Sequence, residues 1–188
     1  MTTEIETQRL VLRPIRRSDA ARLAELANDT RISHMLGSMP HPFTMNDANA
    51  FIDVCRKTAK QTARFAICEK ADPDLLIGCT GYGPATMASK DPAEIDFGYW
   101  IGVAYWGRGF ATEAADACVA HAFVHGGVNQ IDTDYLDINT ASARVLAKLG
   151  FEHVGKRTCH SLGSGETRPS HHMRLTRSRY LSMKEQAA

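Results

Sequence analysis

The sequence predicts an α/β domain built on a mixed β-sheet flanked by helices. Two observations carry that expectation. Along 188 residues the apolar periodicity switches repeatedly between two-residue alternation and helical spacing. The resulting order, β-α-α-β-β-β-α-β-α-β-β, interleaves strands with helices, which is the pattern of one shared sheet. No internal repeat, low-complexity segment or linker interrupts it, so residues 1–188 read as a single domain. A chain of this length with 44% hydrophobic residues can bury a sizeable core.

The elements follow in order. "QRLVLRPI" alternates and predicts the first strand. Ser18 or Asp19 caps a helix over "SDAARLAELAND", where Ala20, Leu23, Ala24 and Ala27 recur at helical spacing. "MLGSMPHPFT" holds one glycine and two prolines and reads as a loop, with "MNDANAFIDVCRKTA" as the next helix. Three strand-like runs come next: "ARFAICEK", "LLIGCTGYG" and "AEIDFGYWIGV", parted by Asp-Pro turn signals at Asp72 and Asp91. A long helix from about Gly109 to His125 stops at Gly126-Gly127. "NQIDTDYLD" resumes strand, and "NTASARVLAKLG" is a short helix ended by Gly150. "FEHVGKRTCH" and "HHMRLTRSRY" predict two last strands about a "GSGE" turn.

Composition removes several classes of function. With 22 basic and 21 acidic residues, the net charge of +1 gives no electrostatic case for nucleic acid or an acidic membrane. The polar, acidic "MTTEIETQRL" does not read as a secretory signal, and no apolar run approaches the ~20 residues of a membrane span. Five cysteines (Cys55, Cys68, Cys79, Cys118 and Cys159) are odd in number and contain no C-x-x-C, so they read as core thiols in a reducing cytoplasm.

The chemistry concentrates in "YWGRGFATEA", where Gly107 and Gly109 immediately precede the long helix. The first amides of a helix lack internal partners and carry the positive end of its dipole. Two glycines would let the backbone close on a phosphate there, with Arg108 adding positive charge; a tight strand-to-helix turn without a ligand is the plainer alternative. No P-loop string exists. The dinucleotide fingerprint G-x-G-x-x-G matches in part, with Thr112 at its third glycine and Asp132 downstream. That reading leaves "DINTASARVLAKLGF" unexplained, where Asn139 and Ser142 share one helix face.

Together these motifs resemble the GNAT acetyltransferase superfamily, in the branch that contains ribosomal-protein N-terminal acetyltransferases. The family's Q/R-x-x-G-x-G/A loop aligns with Trp106-Gly107-Arg108-Gly109-Phe110-Ala111, where tryptophan replaces Q/R in the manner of that branch. "TQRLVLRPIRRSDA", "NTASARVLAKLGF" and "MRLTRSRY" resemble its first strand, second cofactor segment and last strand. The resemblance implies a sheet whose strands four and five splay apart, with acetyl-CoA as co-substrate. It implies that the amides of Trp106, Gly107, Arg108, Gly109, Phe110, Ala111 and Thr112 bind the coenzyme A pyrophosphate. The backbone around Ile101 and Val103 would pair with the pantetheine arm, Asn139 would hydrogen-bond that arm, and Ser142 would sit near the thioester sulfur. Val103 stands where the superfamily often has proline. The resemblance is compatible with a homodimer.

Amine acetylation needs a neutral amine within reach of the thioester and a thiolate that can leave. At pH 7 an α-amine of pKa ~7.7–8.0 deprotonates for about 1 kcal/mol, whereas a lysine-like amine at ~10.4 costs about 4.6 kcal/mol. Strand alternation puts Ile95, Phe97, Tyr99 and Ile101 on one face of "AEIDFGYWI", with Glu94, Asp96, Gly98 and Trp100 on the other. The branch usually has glutamate at the position of Asp96, which makes Asp96 the first candidate for base or amine-orienting group and Glu94 the second. A solvated strand face is the alternative for both. The superfamily often places a tyrosine seven residues after the asparagine to protonate the thiolate; here that residue is Leu146, leaving Ser142 as candidate donor. His121 and His125 at i, i+4 lack a third ligand, and His171-His172 read as strand residues, so no metal site is expected. Arg168, Arg174, Arg177 and Arg179 read as a solvated strand and tail. The expected reaction is direct acetyl transfer from acetyl-CoA to a primary amine, foremost a protein N-terminal α-amine. A small amine (antibiotic or polyamine), a non-catalytic acyl-CoA-binding module and a dinucleotide oxidoreductase are the competing readings.

Overall fold

Strand β2 (Leu10–Pro14) buries Leu10 and Leu12 on one side and Val11 and Arg13 on the other, as a strand covered on both faces must. Arg13 is 1% exposed, and its guanidinium grips the Asp19 carboxylate at 2.8 and 2.9 Å while donating to the carbonyls of Pro73 and Asp74. Full pairing is what makes a buried charge tolerable. The computed structural model describes residues 4–59, 62–84 and 95–187.

Those residues form one eight-stranded mixed sheet in the order β1-β2-β3-β4-β5-β6-β8-β7. The edge strand β1 (Ile5–Glu6) pairs with β2, and β3 (Ala63–Glu69), β4 (Asp72–Pro84) and β5 (Ile95–Ile101) continue antiparallel. The other half contains β6 (Gln130–Leu136), β7 (Glu152–His160) and β8 (Thr167–Thr176), also antiparallel to one another. The halves join where β5 runs parallel to β6, and among the described residues one pair, Asp96↔Asp132, spans that seam. Beyond it the strands diverge, so the expected splay is present; β1 shifts the count, making the separating strands β5 and β6.

Helices α1 (Ala20–Ala27), α2 (Thr30–Ser33) and α3 (Met45–Lys57) cover one face through a core of Leu23, Ala27, Ile52, Ala66 and Cys79. A capping box starts α3, with the Asp47 amide donating to Thr44 Oγ1 and the Thr44 amide to Asp47 Oδ2. The opposite face carries α4 (Phe110–Val124) and α5 (Thr140–Lys148). Its run of small residues lets α4 sink into the sheet, burying Ala114, Ala115, Cys118 and Ala122.

Three local readings are corrected. The turn before β4 lies at residues 70–71, so Asp72 opens the strand; Asp91 lies outside the described residues. A four-residue helix, α2, interrupts the segment after α1, started by the Asp29 carboxylate accepting from the Arg31 amide. The last strand ends at Thr176, and helix α6 (Arg177–Ala187) replaces the expected continuation and tail. The side chain of Thr176 accepts from the Arg179 amide, while Tyr180 is buried with its hydroxyl 3.0 Å from Asp116 Oδ1. That tertiary anchor overrides the strand-like alternation of the sequence.

Candidate active site

Where β5 and β6 part, their C-terminal ends lead through loops to the N-termini of α4 and α5, and a groove of about 770 Å³ opens between them. Its walls come from α2 and the residues after it, the end of β5, the 105–112 loop and the first turns of α5. Both loop glycines sit in the left-handed region, Gly107 at φ +77 and Gly109 at φ +79. A side-chain-bearing residue would be strained at either place. Gly109 is the residue preceding α4, so the amides of Phe110, Ala111 and Thr112 begin the helix without intrahelical partners and border the groove. Thr7, Arg9 and Glu113 brace this corner: Glu113 accepts from the Thr7 hydroxyl and the Arg9 amide, both at 2.7 Å. Burial pushes its carboxyl up, but these contacts together outweigh it and hold the carboxyl below the usual range.

The expected groove residues divide into two sets. Ile101, Trp106, Gly107, Gly109, Phe110, Ala111, Thr112, Asn139 and Ser142 line the cavity. Val103 and Arg108 do not line it. Val103 begins a 3-10 turn after β5 and packs toward the α1–α3 core. The Arg108 side chain turns away to Glu69, with contacts at 2.6 and 3.0 Å, and stacks on the Phe110 ring. Its guanidinium therefore does not face the groove. Trp106 donates its indole N–H to the Ile101 carbonyl at 2.7 Å, so this part of the β5 edge already has a partner.

Asn139 caps α5 by accepting from the Ser142 amide at 3.0 Å, and its Nδ2 donates to the Met35 carbonyl at 3.3 Å. That leaves the Ser142 hydroxyl facing the Tyr99 phenol, 2.9 Å away. Desolvation pushes the Tyr99 pKa up to about 12, with the Ser142 contact pulling it the other way. Leu146 is 1% exposed within the core, which confirms that no donor stands at that position.

Asp96 lies on the opposite face of β5, beside the β6 seam. Its side chain opens to solvent, yet the protein packed around it withdraws enough water that desolvation pushes its carboxyl up to about 6. The Phe97 amide and Arg64 act against that shift, and Asp134 and Asp132 add to it. This is an exposed carboxylate on the strand face, not one sealed in the core. Glu94 lies outside the described residues. Asp132 is held by Arg174 at 2.8 Å, His172 at 3.1 Å and Gln130 at 2.8 Å and does not border the groove. The acidic partner that a dinucleotide site requires is thus committed elsewhere.

The family model for the acetyltransferase (GNAT) domain matches residues 9–152. The chain belongs to the GNAT acetyltransferase family. It is 29% identical over 152 residues to the uncharacterized N-acetyltransferase p20 of Bacillus licheniformis, covering 79% of this chain and 82% of that one. Among solved structures, ribosomal-protein-S5-alanine acetyltransferase from Vibrio fischeri superposes with a TM-score of 0.78 at 20% identity, covering 95% and 98% of the two chains. Mycobacterium smegmatis RimJ, in complex with CoA-disulfide, gives 0.74 at 22% identity, covering 90% and 82%.

As a GNAT acetyltransferase the protein uses acetyl-CoA, and the groove fits that molecule: left-handed glycines, unpaired helix amides and a splayed sheet all lie along one cavity. Three groups escaped the sequence reading. Arg144 and Lys148 line the groove from α5, and their i, i+4 spacing was the available signal. Sequence alternation places Tyr99 on a strand face but gives it no role, because its contact with Ser142 spans 43 residues of chain. Among the described residues no metal-ligand cluster occurs, and no helix is long and apolar enough to cross a membrane. His121 instead bonds the Tyr82 hydroxyl at 3.0 Å.

Proposed function

We propose that this enzyme acetylates the α-amine of a cytoplasmic protein N-terminus by direct transfer, with the entire chain acting as one catalytic domain. The carrying observation is that β5 presents Tyr99 and Ile101 to the groove while Asp96 stands on its other face. An amine approaching from the Asp96 side meets a thioester held on the other, at the open end of the seam.

In this reading the 106–112 amides hold the pyrophosphate of coenzyme A, the end of β5 at Ile101 borders the pantetheine arm, and Asn139 fixes the α5 turn on the other side of it. Asp96, directly or through water, takes the proton of the ammonium, and Glu94 is the second carboxylate candidate. The neutral nitrogen forms a bond to the acetyl carbon as the carbon–sulfur bond breaks, and the nitrogen's surplus proton passes to the departing thiolate or to water. Ser142, backed by the Tyr99 phenol, donates a hydrogen bond to sulfur as its charge develops. An α-amine suits a carboxylate with a pKa of about 6, since the amine requires only a small displacement from its own value.

Support for a protein N-terminus comes from neighbours described as ribosomal-protein alanine and serine acetyltransferases. A polyamine would favour an uncompensated acidic trough. Here Asp132 and Asp134 face His172, Arg174 and Arg157. Acetyl-CoA consumption measured across N-terminal peptides, polyamines and aminoglycosides tests the reading, with mass spectrometry placing the acetyl group. Modification of peptide α-amines is expected; turnover confined to polyamines or aminoglycosides would overturn it.

A further inference from the structure

We propose that a second cavity, on the Asp96 face of β5, is a subsite for the acceptor's side chain. It selects an apolar α-amino acyl group: an amine flanked by a carbonyl or carboxylate and a bulky apolar substituent. This inference rests on the amine acetyltransfer proposed above. The cavity measures about 180 Å³ and lies beneath α1, α3 and the 35–44 loop, walled by Leu23, Met39, Phe43, Phe51 and Trp100. Leu36, Tyr99 and Trp100 line both this cavity and the coenzyme groove, so the two adjoin at the end where transfer occurs.

The floor is one cross-strand row: Arg64 on β3 opposite Gly81 on β4, which is opposite Gly98 on β5. The two glycines have different causes. At Gly81 a Cβ would lie 2.6 Å from the Ala63 carbonyl oxygen, so packing forces the absence of a side chain. At Gly98 a Cβ would meet nothing within 4 Å among the described residues, and its backbone is not left-handed. Packing gives no reason for glycine there. A strand glycine with open space above it marks close approach by something else.

Arg64 lines the same cavity, and its buried Nε has no hydrogen-bond partner among the described residues. Such a donor is an exception among buried polar groups and calls for an acceptor oxygen. Gly98 lies two residues from Asp96 on the same strand face, about 6.5–7 Å along the chain. An α-amino acyl group meets all three features at once. Its amine reaches the Asp96 side, its carbonyl oxygen accepts from Arg64, and its side chain passes over Gly98 into the apolar walls. A dry apolar cavity of ~150 Å³ accommodates benzene. This one takes a phenyl or branched aliphatic group and is left underfilled by glycine or alanine.

Calorimetric titration of the CoA-saturated protein with L-phenylalaninamide, L-leucinamide and glycinamide tests the site without requiring turnover. The two bulky amides are expected to bind about 10- to 100-fold more tightly than glycinamide. Gly98→Val, which adds its side chain to open space, should reduce that preference at least tenfold. Arg64→Met should weaken all three about tenfold. Equal binding of phenylalaninamide and glycinamide, or an unchanged ratio in folded Gly98→Val, would overturn the site. Free L-phenylalanine binding more tightly than its amide identifies a free amino acid as source; a Phe-initiated tripeptide matching the amide identifies a chain terminus. Selective binding without acetylation of any N-terminal peptide would reject the N-terminal reading and keep the pocket. Equal kcat/KM for Gly- and Phe-initiated peptides would reject the pocket and keep that reading.

Discussion

The groove on one side of β5 is organised by backbone, whereas the pocket on the other is walled by side chains from α1, α3 and the 35–44 loop. Left-handed glycines, helix-start amides and a diverging strand pair make the groove, and none of these depends on the identity of a large side chain. The pocket depends on Leu23, Met39, Phe43, Phe51 and Arg64 arriving from distant parts of the chain. Cofactor binding should therefore tolerate substitutions that reshape acceptor choice, and the chemistry between the two should respond to neither alone.

The largest separation is expected at Asp96. Asp96→Asn should lower kcat/KM for the amine about 10²–10⁴-fold at pH 7, with acetyl-CoA affinity unchanged in calorimetry. Because burial lifts this carboxyl to about 6, the wild type should lose its base as pH falls through that value. Below it, log kcat/KM should rise with a slope near one, since the carboxylate must be ionised to take the ammonium's proton; above it the profile should level off until the amine's own pKa. Asp96→Asn, which depends on free amine from solution, should rise with a slope of one up to the amine's pKa, so its deficit should shrink between about pH 6 and that value.

The hydroxyl pair comes next. Ser142→Ala should reduce kcat by a factor near or below 10², with acetyl-CoA affinity retained, because the donated bond matters chiefly as charge reaches sulfur. Wild-type kcat in the folded variant, where chemistry limits turnover, would remove the role. Tyr99→Phe should cost severalfold in kcat, a smaller effect because the phenol acts through Ser142. The smallest effect falls on stability. Asn139→Ala removes the cap of α5 and should cost about 1 kcal/mol, a Tm shift of about 2–4 °C, which Asn139→Asp should largely spare.

This division also explains what the sequence disclosed. The succession of elements along the chain, the long helix and the glycine turn that starts it were legible because Gly107, Gly109 and Asn139 act through local backbone geometry. The turn of Arg108 toward Glu69 was not legible, since it depends on a strand 39 residues away. Helix α6 was missed for the same reason: Tyr180 is anchored by Asp116, across 64 residues. The Tyr99–Ser142 contact and the Arg64–Gly81–Gly98 row exist only once β3, β4, β5 and α5 are assembled.

Acetyl-CoA titration of Gly109→Val tests the backbone-built groove most directly. Valine must adopt a left-handed backbone at about 1–2 kcal/mol, which a domain of ordinary stability survives. Its nearest obstacle is the end of the Arg9 side chain at 3.4 Å, an ordinary contact, so the larger consequence should fall on phosphate approach. Calorimetry on the folded variant should show acetyl-CoA binding at least about 100-fold weaker than wild type, a loss of about 2.7 kcal/mol. Wild-type affinity in that variant, with its circular dichroism intact, would contradict the account.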